Sequence, residues 1–393
     1  MRILEKMPDT AVPGPGCCPD VNGREAEADG EVCCGRPALP TNPHERPGYR
    51  LLPFVDGFIE TPVGPVPRVR ARLSFADRLG AAGVRWGIGR DRYRVAPGLY
   101  AVGTPTPESP VLVTANFKLT FDQIRAAARG IDAWILVVDT WGVNVWCAAG
   151  KGRFSTAEVA GRVRDVGLDR VVSHRQLILP QLGATGVRAR DLRSARGFSG
   201  VWGPIRAEDI RAFIEAGMVA TPAMRRVTFT LGERMVLVPV ELSALAKHLL
   251  WLAPALFLIS GIGLGGFSMS GAGGRWALVA GAILLGIVAG AVLTPALLPL
   301  LPGRAFAVKG AIAGGLLWGV AALLAGEGWG LAGGAALFLL AVAVSSYLAT
   351  NFTGSTPYTS PSGVEWEMRR ALPVQALMAL TGIVLWVAAA FVG

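Results

Sequence analysis

The chain has 393 residues, of which 52% are hydrophobic and only 17% are charged. Soluble domains average about 25% charged residues, so composition excludes a chain that is soluble throughout. The formal net charge is +10, but the cations stand singly among acids. No basic run with interleaved aromatic residues is present, which argues against nucleic-acid binding.

The first 48 residues are rich in Pro, Gly, Asp and Glu, so residues 1–48 are predicted to be a disordered tail. The chain has five cysteines, and four of them form two adjacent pairs in this tail: Cys17, Cys18, Cys33 and Cys34. Such pairs are a poor disulfide framework, and the tail lacks the apolar core of a signal peptide, so a reducing cytoplasm is expected. Three interpretations stay open for the pairs: capture of soft Hg(II), a cluster or zinc site, or no specific role.

Residues 49–246 alternate short apolar runs with helical stretches, which predicts an α/β domain. The predicted strands are 111–115, 133–138, 170–172, 177–179, 226–230 and 235–238, and the predicted helices are 120–129, 155–166 and 207–216. Apolar strands alternating with helices indicate a mainly parallel, Rossmann-like sheet that is covered on both faces. Ligands of such sheets bind at the carboxyl ends of strands, so the loops after residues 115, 138 and 179 are the candidate site.

The last third of the chain is far less charged, with five Lys or Arg and three acids from His248 onward. It contains five apolar segments, each long enough to cross a bilayer: 248–267, 276–301, 308–326, 329–348 and 372–392. We therefore expect 247–393 to be an all-α transmembrane domain of five helices. The positive-inside rule places the soluble domain in the cytoplasm, at the inner membrane, and the C-terminus outside, with Arg275 as the exception and Glu327 in an outer loop.

This region also contains regularly spaced glycines and one long polar stretch. Glycines at four-residue spacing, Gly310 with Gly314 and Gly315 with Gly319, predict close helix packing, because a transport pathway usually needs more intramembrane charge than is present. The polar stretch that begins at Asn351 is predicted to be a long loop, either a plain connector or a contact surface for the soluble domain or a partner.

The densest chemical signal is Asn144–Lys151, which directly follows the predicted strand 133–138. Cys147 is followed by Ala148–Gly150, and the thiol is either packed in the core or exposed. If the thiol is exposed, the helix N-terminus stabilises its thiolate form. The small side chains that follow would then leave the surface open, so that a flat group can lie on the backbone. No second ligand for zinc and no base for acyl transfer are close in sequence, and His174 fits a hydrogen-bonded core residue. One axial ligand to a metal held by a macrocycle fits best.

Residues Asn144–Lys151 resemble the signature octapeptide of the HgcA family of mercury-methylating corrinoid proteins. The resemblance extends from residue 50 onward, and it also rests on Trp86–Arg90, Pro97–Tyr100, Val113–Asp122, Leu179–Gly186, the five apolar spans and the segment that begins at Asn351. The strand-end segments are also similar to the corrinoid domain of the corrinoid iron–sulfur protein of the acetyl-CoA pathway, which lacks the cysteine ligand and the membrane spans.

This resemblance implies a Rossmann-like domain that binds a cobalamin-type corrinoid, with Cys147 as the lower axial ligand of cobalt on a cap helix. The implied activity is transfer of a methyl group from cobalt to Hg(II), which forms methylmercury. A thiolate suits this transfer because its electron density favours departure of the methyl group with its electron pair. The implied partners are an HgcB-type ferredoxin with two 4Fe-4S clusters and a methyltetrahydrofolate-linked methyl donor.

Two other functions remain open on the sequence. One is a corrinoid methyl carrier of one-carbon metabolism for which mercury is an accidental acceptor. The other is a transporter with a cytoplasmic regulatory domain.

The expected corrinoid contacts are the octapeptide and residues at predicted strand ends. They are Asn144, Val145, Trp146, Cys147, Ala148, Ala149, Gly150, Lys151, Asn116, Asp139, Thr140, Gly183, Ala184, Thr185 and Gly186. Within the octapeptide, Asn144 and Trp146 are expected to fix the turn and pack the helix, and Gly150 to give clearance. Lys151 either meets the corrinoid amides or its nucleotide phosphate, or is solvated. Turn chemistry alone is the alternative for the strand-end residues.

Overall fold

The protein was analysed as a computed structural model. The residues that it describes are 4–6, 49–326, 329–356 and 358–392. By internal contacts the chain divides into two compact units, Met1–Gly80 with Asp91–Arg226, and Ala81–Arg90 with Val227–Gly393. The domain limits predicted at residues 48 and 246 stay predictions. The four tail cysteines and Glu327 lie outside the described residues.

The first unit is built on a mixed β-sheet. Its described strands are β1 (Leu4–Lys6), β2 (Tyr49–Leu51), β3 (Val55–Ile59), β4 (Val66–Val69), β5 (Gly98–Val102), β6 (Val111–Ala115), β7 (Ala133–Val138), β8 (Gln176–Leu179) and β9 (Ser199–Trp202). Strands β1 and β2 form a separate antiparallel pair, and the other seven form one sheet in the order β3-β4-β5-β7-β6-β8-β9. Four neighbours, β7, β6, β8 and β9, run parallel, whereas β5 is antiparallel to β7. The prediction of a mainly parallel sheet is confirmed for these four strands, and β4 is also parallel to β5.

Helices cover both faces of this sheet, as predicted. Those between residues 49 and 226 are α1 (Phe75–Arg85), α2 (Lys118–Ala127), α3 (Val145–Gly150), α4 (Thr156–Asp165), α5 (Leu168–Val171), α6 (Ala189–Arg196) and α7 (Ile210–Glu215). Alternate strand residues face opposite sides, so Val113 and Leu136 pack in one core with α4. Leu112 and Ile135 pack in the other with Phe121 of α2.

Three strand predictions are wrong. Residues 170–172 lie mostly in α5, which begins after Gly167 in the left-handed conformation (φ 59°). Residues 226–230 form no strand, and residues 235–238 belong to two helices, α8 (Leu231–Met235) and α9 (Val238–Ser260). Helix α8 begins with a capping box formed by Thr230 and Glu233. Periodicity alone does not separate such short apolar runs from buried helix segments.

The order of the parallel strands defines where a ligand would bind. Strands β6 and β8 are neighbours, and the chain leaves them in opposite directions, from β6 to β7 on one side and from β8 to β9 on the other. Open α/β sheets bind ligands beside the carboxyl ends of two strands at such a switch point. Here these are the ends of β6 and β8, followed by Asn116 and by the turn 180–186.

The second unit is helical apart from a small hairpin of β10 (Ile262–Gly263) and β11 (Gly266–Phe267). After α9 come α10 (Met269–Ile287), a π-helical stretch (Val288–Leu293), α11 (Thr294–Ala296), α12 (Phe306–Ala325), α13 (Gly330–Thr353) and α14 (Pro361–Val392). Among the described residues, five helical segments are long and apolar enough to span a bilayer: Leu231–Ser260, Met269–Ala296, Phe306–Ala325, Gly330–Thr353 and Ser362–Phe391. The five predicted spans are thereby confirmed.

Their boundaries differ from the prediction. The first span was expected at 248–267, but α9 ends at Ser260, because the glycine-rich hairpin follows, with Gly266 at φ 88°. The predicted long loop is also wrong, since α13 runs to Thr353 and α14 begins at Pro361. Hydropathy marks the apolar part of a helix and misses polar turns at its ends.

The glycine pairs have different surroundings. A Cβ on Gly310 would lie 2.5 Å from the Cβ of Ala349, and Gly314 is similarly close to α13. Gly315 makes only ordinary contacts, and Gly319 has no atom within 4 Å. The packing prediction is confirmed for Gly310 and Gly314 and is wrong for Gly315 and Gly319.

Candidate functional site

Asn116 links the ends of two parallel strands. It directly follows β6 and is 2% exposed. Its Oδ1 accepts the N–H groups of Thr140 (3.0 Å) and Gly142 (2.9 Å) and lies 2.8 Å from the Thr140 hydroxyl. Its Nδ2 donates to Asp139 at 2.9 Å. The predicted residues Asn116, Asp139 and Thr140 are therefore brought together, and they hold the loop after β7.

This loop has a constrained backbone. Trp141 has φ 60° and Gly142 has φ 78°, and the left-handed conformation is uncommon for a residue with a side chain. It persists where the surroundings fix it, and here the Asp139 carboxylate accepts the Trp141 N–H at 3.0 Å. Because Asn116 and Thr140 are almost fully buried, their side chains offer little surface to a large ligand.

The octapeptide forms α3, at the carboxyl edge of the sheet. Asn144 is its N-cap, and its side chain accepts the backbone N–H of Cys147 at 2.9 Å. Val145 points into the core, whereas Trp146 is 39% exposed. The Cys147 thiol is free and exposed, so the core-thiol interpretation is wrong.

The glycines of the turn after β8 allow this turn to pack against α3 and the segment that follows it. A Cβ on Gly186 would lie 2.2 Å from the carbonyl oxygen of Phe154 and 3.0 Å from the Cα of Ala149. A Cβ on Gly183 would lie 2.8 Å from the Phe154 ring. Gly186 is thus required by close backbone approach and Gly183 by the Phe154 ring, while the intervening Ala184 and Thr185 are exposed.

The small residues of α3 do not act as the sequence suggested. Ala148 and Ala149 are buried in the core, so they fit α3 against its neighbours instead of clearing its outer surface. That surface is cleared by Gly150, which has no atom within 4 Å of a built Cβ, and Lys151 beside it is exposed. The expectation that the alanines clear a surface is therefore wrong.

Two residues near α3 were missed by the sequence analysis. The Trp141 ring is 64% exposed, and the Arg153 guanidinium lies 4.1 Å from its centroid. A tryptophan before a glycine after a buried strand marks a turn, but its exposure depends on the left-handed φ that the Asn116 network fixes.

The described residues supply no complete metal site. They contain no group of three or more His, Cys, Asp or Glu that could hold a metal ion. His174 is a hydrogen-bonded structural residue, because its Nε2 lies 2.9 Å from the Ser109 oxygen and its Nδ1 accepts the Gln176 N–H at 3.2 Å. A metal at Cys147 would need its other ligands from a bound group.

A buried ion network fixes α2, whose first turn belongs to the segment Val113–Asp122 that carries part of the family resemblance. Lys118 Nζ lies 2.7 Å from Asp77 and 2.6 Å from Asp122, and the fully buried Arg125 pairs with both carboxylates at 2.8 Å. Burial raises the pKa of Asp77, but hydrogen bonds from Lys118, the Ser74 backbone and Arg125 outweigh it and hold that pKa well below its usual range. The charges balance, so this network is structural.

Part of the chain, including the residues around α3, is similar to known proteins. Residues 89–211 match the family model described as CO dehydrogenase/acetyl-CoA synthase delta subunit. The acetyl-CoA decarbonylase/synthase complex subunit gamma of Methanopyrus kandleri is 33% identical over 128 residues, which are 32% of this chain and 27% of that protein. The corrinoid/iron-sulfur protein large subunit of Moorella thermoacetica is 33% identical over 129 residues, 32% of this chain and 28% of that protein.

The chain thus spans about a quarter of the length of these curated relatives. The matched segment contains β5 to β9, the Asn116 network and α3. The resemblance of the strand-end segments to the corrinoid proteins of the acetyl-CoA pathway is confirmed, and residues 89–211 form a domain similar to theirs.

Proposed function

We propose that the first unit binds a cobalamin-type corrinoid and that the protein is a corrinoid-dependent methyltransferase that converts Hg(II) to methylmercury. The observation that carries this proposal is the position of Cys147. Its free, exposed thiol lies in the first turn of a capped helix, at the carboxyl edge of parallel strands. That helix lies in a segment similar to a protein named for its corrinoid.

The residues around Cys147 fit such a cofactor. A corrinoid would bring most ligands of its cobalt with it and would need one more from the protein, which matches a described site whose single soft donor is Cys147. The surface near the thiol offers open space at Gly150 and Gly152 and the exposed indoles of Trp141 and Trp146.

The chain's own residues then have distinct roles. The corrinoid, when bound, supplies a metal centre that carries a methyl group between donor and acceptor. Cys147 would hold the cobalt through its sulfur, and the electron density of that sulfur would be the lever that the protein has over the metal. Asn144 fixes the backbone of Cys147 through the 2.9 Å hydrogen bond. Lys151, Ala184 and Thr185 are the exposed residues proposed to contact the rim of the cofactor.

The second unit anchors the protein in the membrane. Arg304, Arg369 and Arg370 lie at the end of the bundle where α9 begins, so we place that end and the corrinoid domain in the cytoplasm, and the C-terminus outside. Arg275, at the opposite end, is engaged structurally, because it donates to the carbonyls of Ser260 and Ile262, each at 3.0 Å.

An electron donor, a methyl donor and the substrate complete the proposal. An HgcB-type ferredoxin with two 4Fe-4S clusters supplies electrons, and a methyltetrahydrofolate-linked donor supplies the methyl group. Hg(II) is the substrate, and the tail cysteine pairs are proposed to capture it. The relatives are named as subunits of a complex, which supports a protein partner.

The test is single-turnover methyl transfer by the full chain. Protein is loaded with methylcobalamin, desalted and mixed with thiol-bound Hg(II), and methylmercury is quantified for wild type, Cys147→Ala and the control Gln123→Ala, an exposed position on α2. We expect wild type and control to exceed free methylcobalamin, and Cys147→Ala to fall to its level. Equal yields would exclude Cys147 as the activating ligand, and failure of wild type to retain the corrinoid would refute the proposal.

A second candidate is a corrinoid methyl carrier of one-carbon metabolism. It is favoured by the similarity to relatives that are named as subunits of acetyl-CoA decarbonylase/synthase. The variant Cys147→His separates the two functions. Loss of mercury methylation with retained methyl exchange would favour the mercury-specific role, whereas retention of every activity would favour the carrier.

A further inference from the structure

A cavity of about 410 Å³ opens at one end of the helical unit. It lies between α8, the connection from α11 to α12 and the connection from α13 to α14. Three cationic side chains line it, Arg234, Arg304 and Lys309, and no carboxylate is among the described residues that line it. The cavity therefore combines a strongly positive lining with the apolar surfaces of Phe229 and Phe306.

Arg234 is the most unusual of the three cations. It is 8% exposed, and its Nε donates to the carbonyl oxygen of Thr230 at 3.4 Å. Within the part of the chain that the structure describes, its two terminal nitrogens have no hydrogen-bond or ion-pair partner. A guanidinium presents five donors, and the terminal nitrogens of Arg234 are not fully enclosed by protein, so their donors are left for a group that enters the cavity that this residue lines. Arg234 therefore indicates an anionic ligand.

Lys309 adds a second buried charge, being 9% exposed. Its Nζ donates to the carbonyl oxygen of Leu298 at 3.0 Å and also to that of Leu301. These oxygens are neutral, and an ammonium has a third donor left for a ligand. Glu367, the carboxylate at the same end of α12, is occupied by the Ala307 N–H at 2.7 Å and does not line the cavity.

We infer that this cavity binds a phosphate group. A phosphate oxyanion accepts several charge-assisted hydrogen bonds, an arginine fork binds it bidentately, and a lysine adds a point charge. Arg304 is exposed and makes no hydrogen bond or ion pair among the described residues, which leaves it available to a ligand in the cavity that it lines. The phosphate belongs either to the headgroup of an anionic phospholipid or to a soluble phosphate. Basic pockets between helices at the cytoplasmic side are typical of headgroup sites.

The test uses the full chain, purified in detergent, and follows its thermal midpoint by tryptophan fluorescence. The probes are dioctanoyl-phosphatidylglycerol, dioctanoyl-phosphatidylcholine and inorganic phosphate. The variants are Arg234→Gln and Arg304→Gln, with Arg370→Gln as the control. Arg370 is a cation at the same end of the bundle, but it lies over the Trp366 ring outside the cavity.

We expect a saturable rise of the midpoint with phosphatidylglycerol. Loss of a charged hydrogen-bond donor raises the half-saturating concentration roughly ten-fold in Arg234→Gln, whereas Arg370→Gln stays near wild type. A matching response to inorganic phosphate assigns the site to a soluble phosphate, and a response to phosphatidylglycerol alone assigns it to a lipid headgroup.

Three results would overturn the inference: no saturable response to either anionic probe, equal titrations in all variants, or a phosphatidylcholine response as strong as that of phosphatidylglycerol. If Arg234→Gln fails to fold, Arg304→Gln decides, because its exposed side chain makes no described contact that folding depends on.

Discussion

The substitution Asn116→Ala tests whether the hydrogen bonds of Asn116 hold the loop after β7 in place. This change removes the acceptor for the N–H groups of Thr140 and Gly142 and the donor to Asp139. Each buried polar group left without a partner costs about 1–3 kcal/mol. Because the neighbouring Trp141 is exposed, water can reach part of the loop, so we expect a total loss of about 2–4 kcal/mol of unfolding free energy.

The variant Asn116→Asp separates the two halves of the network. It keeps an oxygen for the two N–H groups but loses the donor to Asp139, and it sets two carboxylates side by side. Such a pair raises the pKa of one carboxyl group, so the penalty is present at neutral pH and is relieved as the pH falls through that raised pKa. Asn116→Ala has no such pH dependence.

The measurement is thermal unfolding of the full chain between pH 5 and pH 8, together with hydrogen exchange of the 139–150 segment. Gln123→Ala is the matched control, an amide exposed on α2. If Asn116→Ala lies within about 0.5 kcal/mol of wild type, the range of ordinary surface changes, and exchange at Thr140 and Gly142 is unaltered, the network does not hold the loop.

Three other substitutions probe neighbouring contacts. Asn144→Ala should cost about 1 kcal/mol and speed alkylation of Cys147 relative to Asn144→Ser, because only serine preserves a cap; equal alkylation rates would contradict this. Gly186→Val should abolish folding at 37 °C or lower the Tm by more than about 10 degrees. The reason is that even a Cβ at this position would lie 2.2 Å from the carbonyl oxygen of Phe154. A melting curve with a Tm near that of wild type would contradict this prediction. Asp77 has a lowered pKa when folded, so its contribution to stability is complete above the unfolded value of about 3.9 and is lost as the pH falls further. Asp77→Asn should therefore be less stable at neutral pH and lose less on acidification, and parallel stability curves in a pH titration would contradict the assignment.

Sequence patterns were sufficient where local chemistry decides the structure. The strands 111–115 and 133–138 were predicted at their observed bounds, because buried parallel strands are continuous apolar runs. Asn144 was expected to fix the turn, and it does so as the cap that accepts the Cys147 N–H, whereas the exposure of Cys147 was one of two alternatives that the sequence left open. The Thr230–Glu233 capping box was equally visible in the sequence, and because it begins a helix at Leu231, using it would have prevented the false strand at 235–238.

The remaining features depend on distant parts of the chain. Strand β5 contributes antiparallel pairing beside β7, and no local pattern fixes that partner. Ala148 and Ala149 suggest a cleared outer surface until the turn at Gly186 is seen to pack so close that a Cβ on this glycine would lie 3.0 Å from the Cα of Ala149. Small residues indicate close approach, but only the tertiary structure identifies what approaches and from which side.

The position of the Cys147 sulfur therefore has two separate supports. Asn116 fixes the loop that enters α3, and Gly183 and Gly186 fix the turn packed against it. These residues were expected to touch the cofactor, which stays a prediction, and their contacts give them a role in positioning α3. Loss of methyl transfer in their variants would then accompany a change in stability or Cys147 reactivity. Loss without such a change is expected at the exposed positions, which are Cys147, Lys151, Ala184 and Thr185.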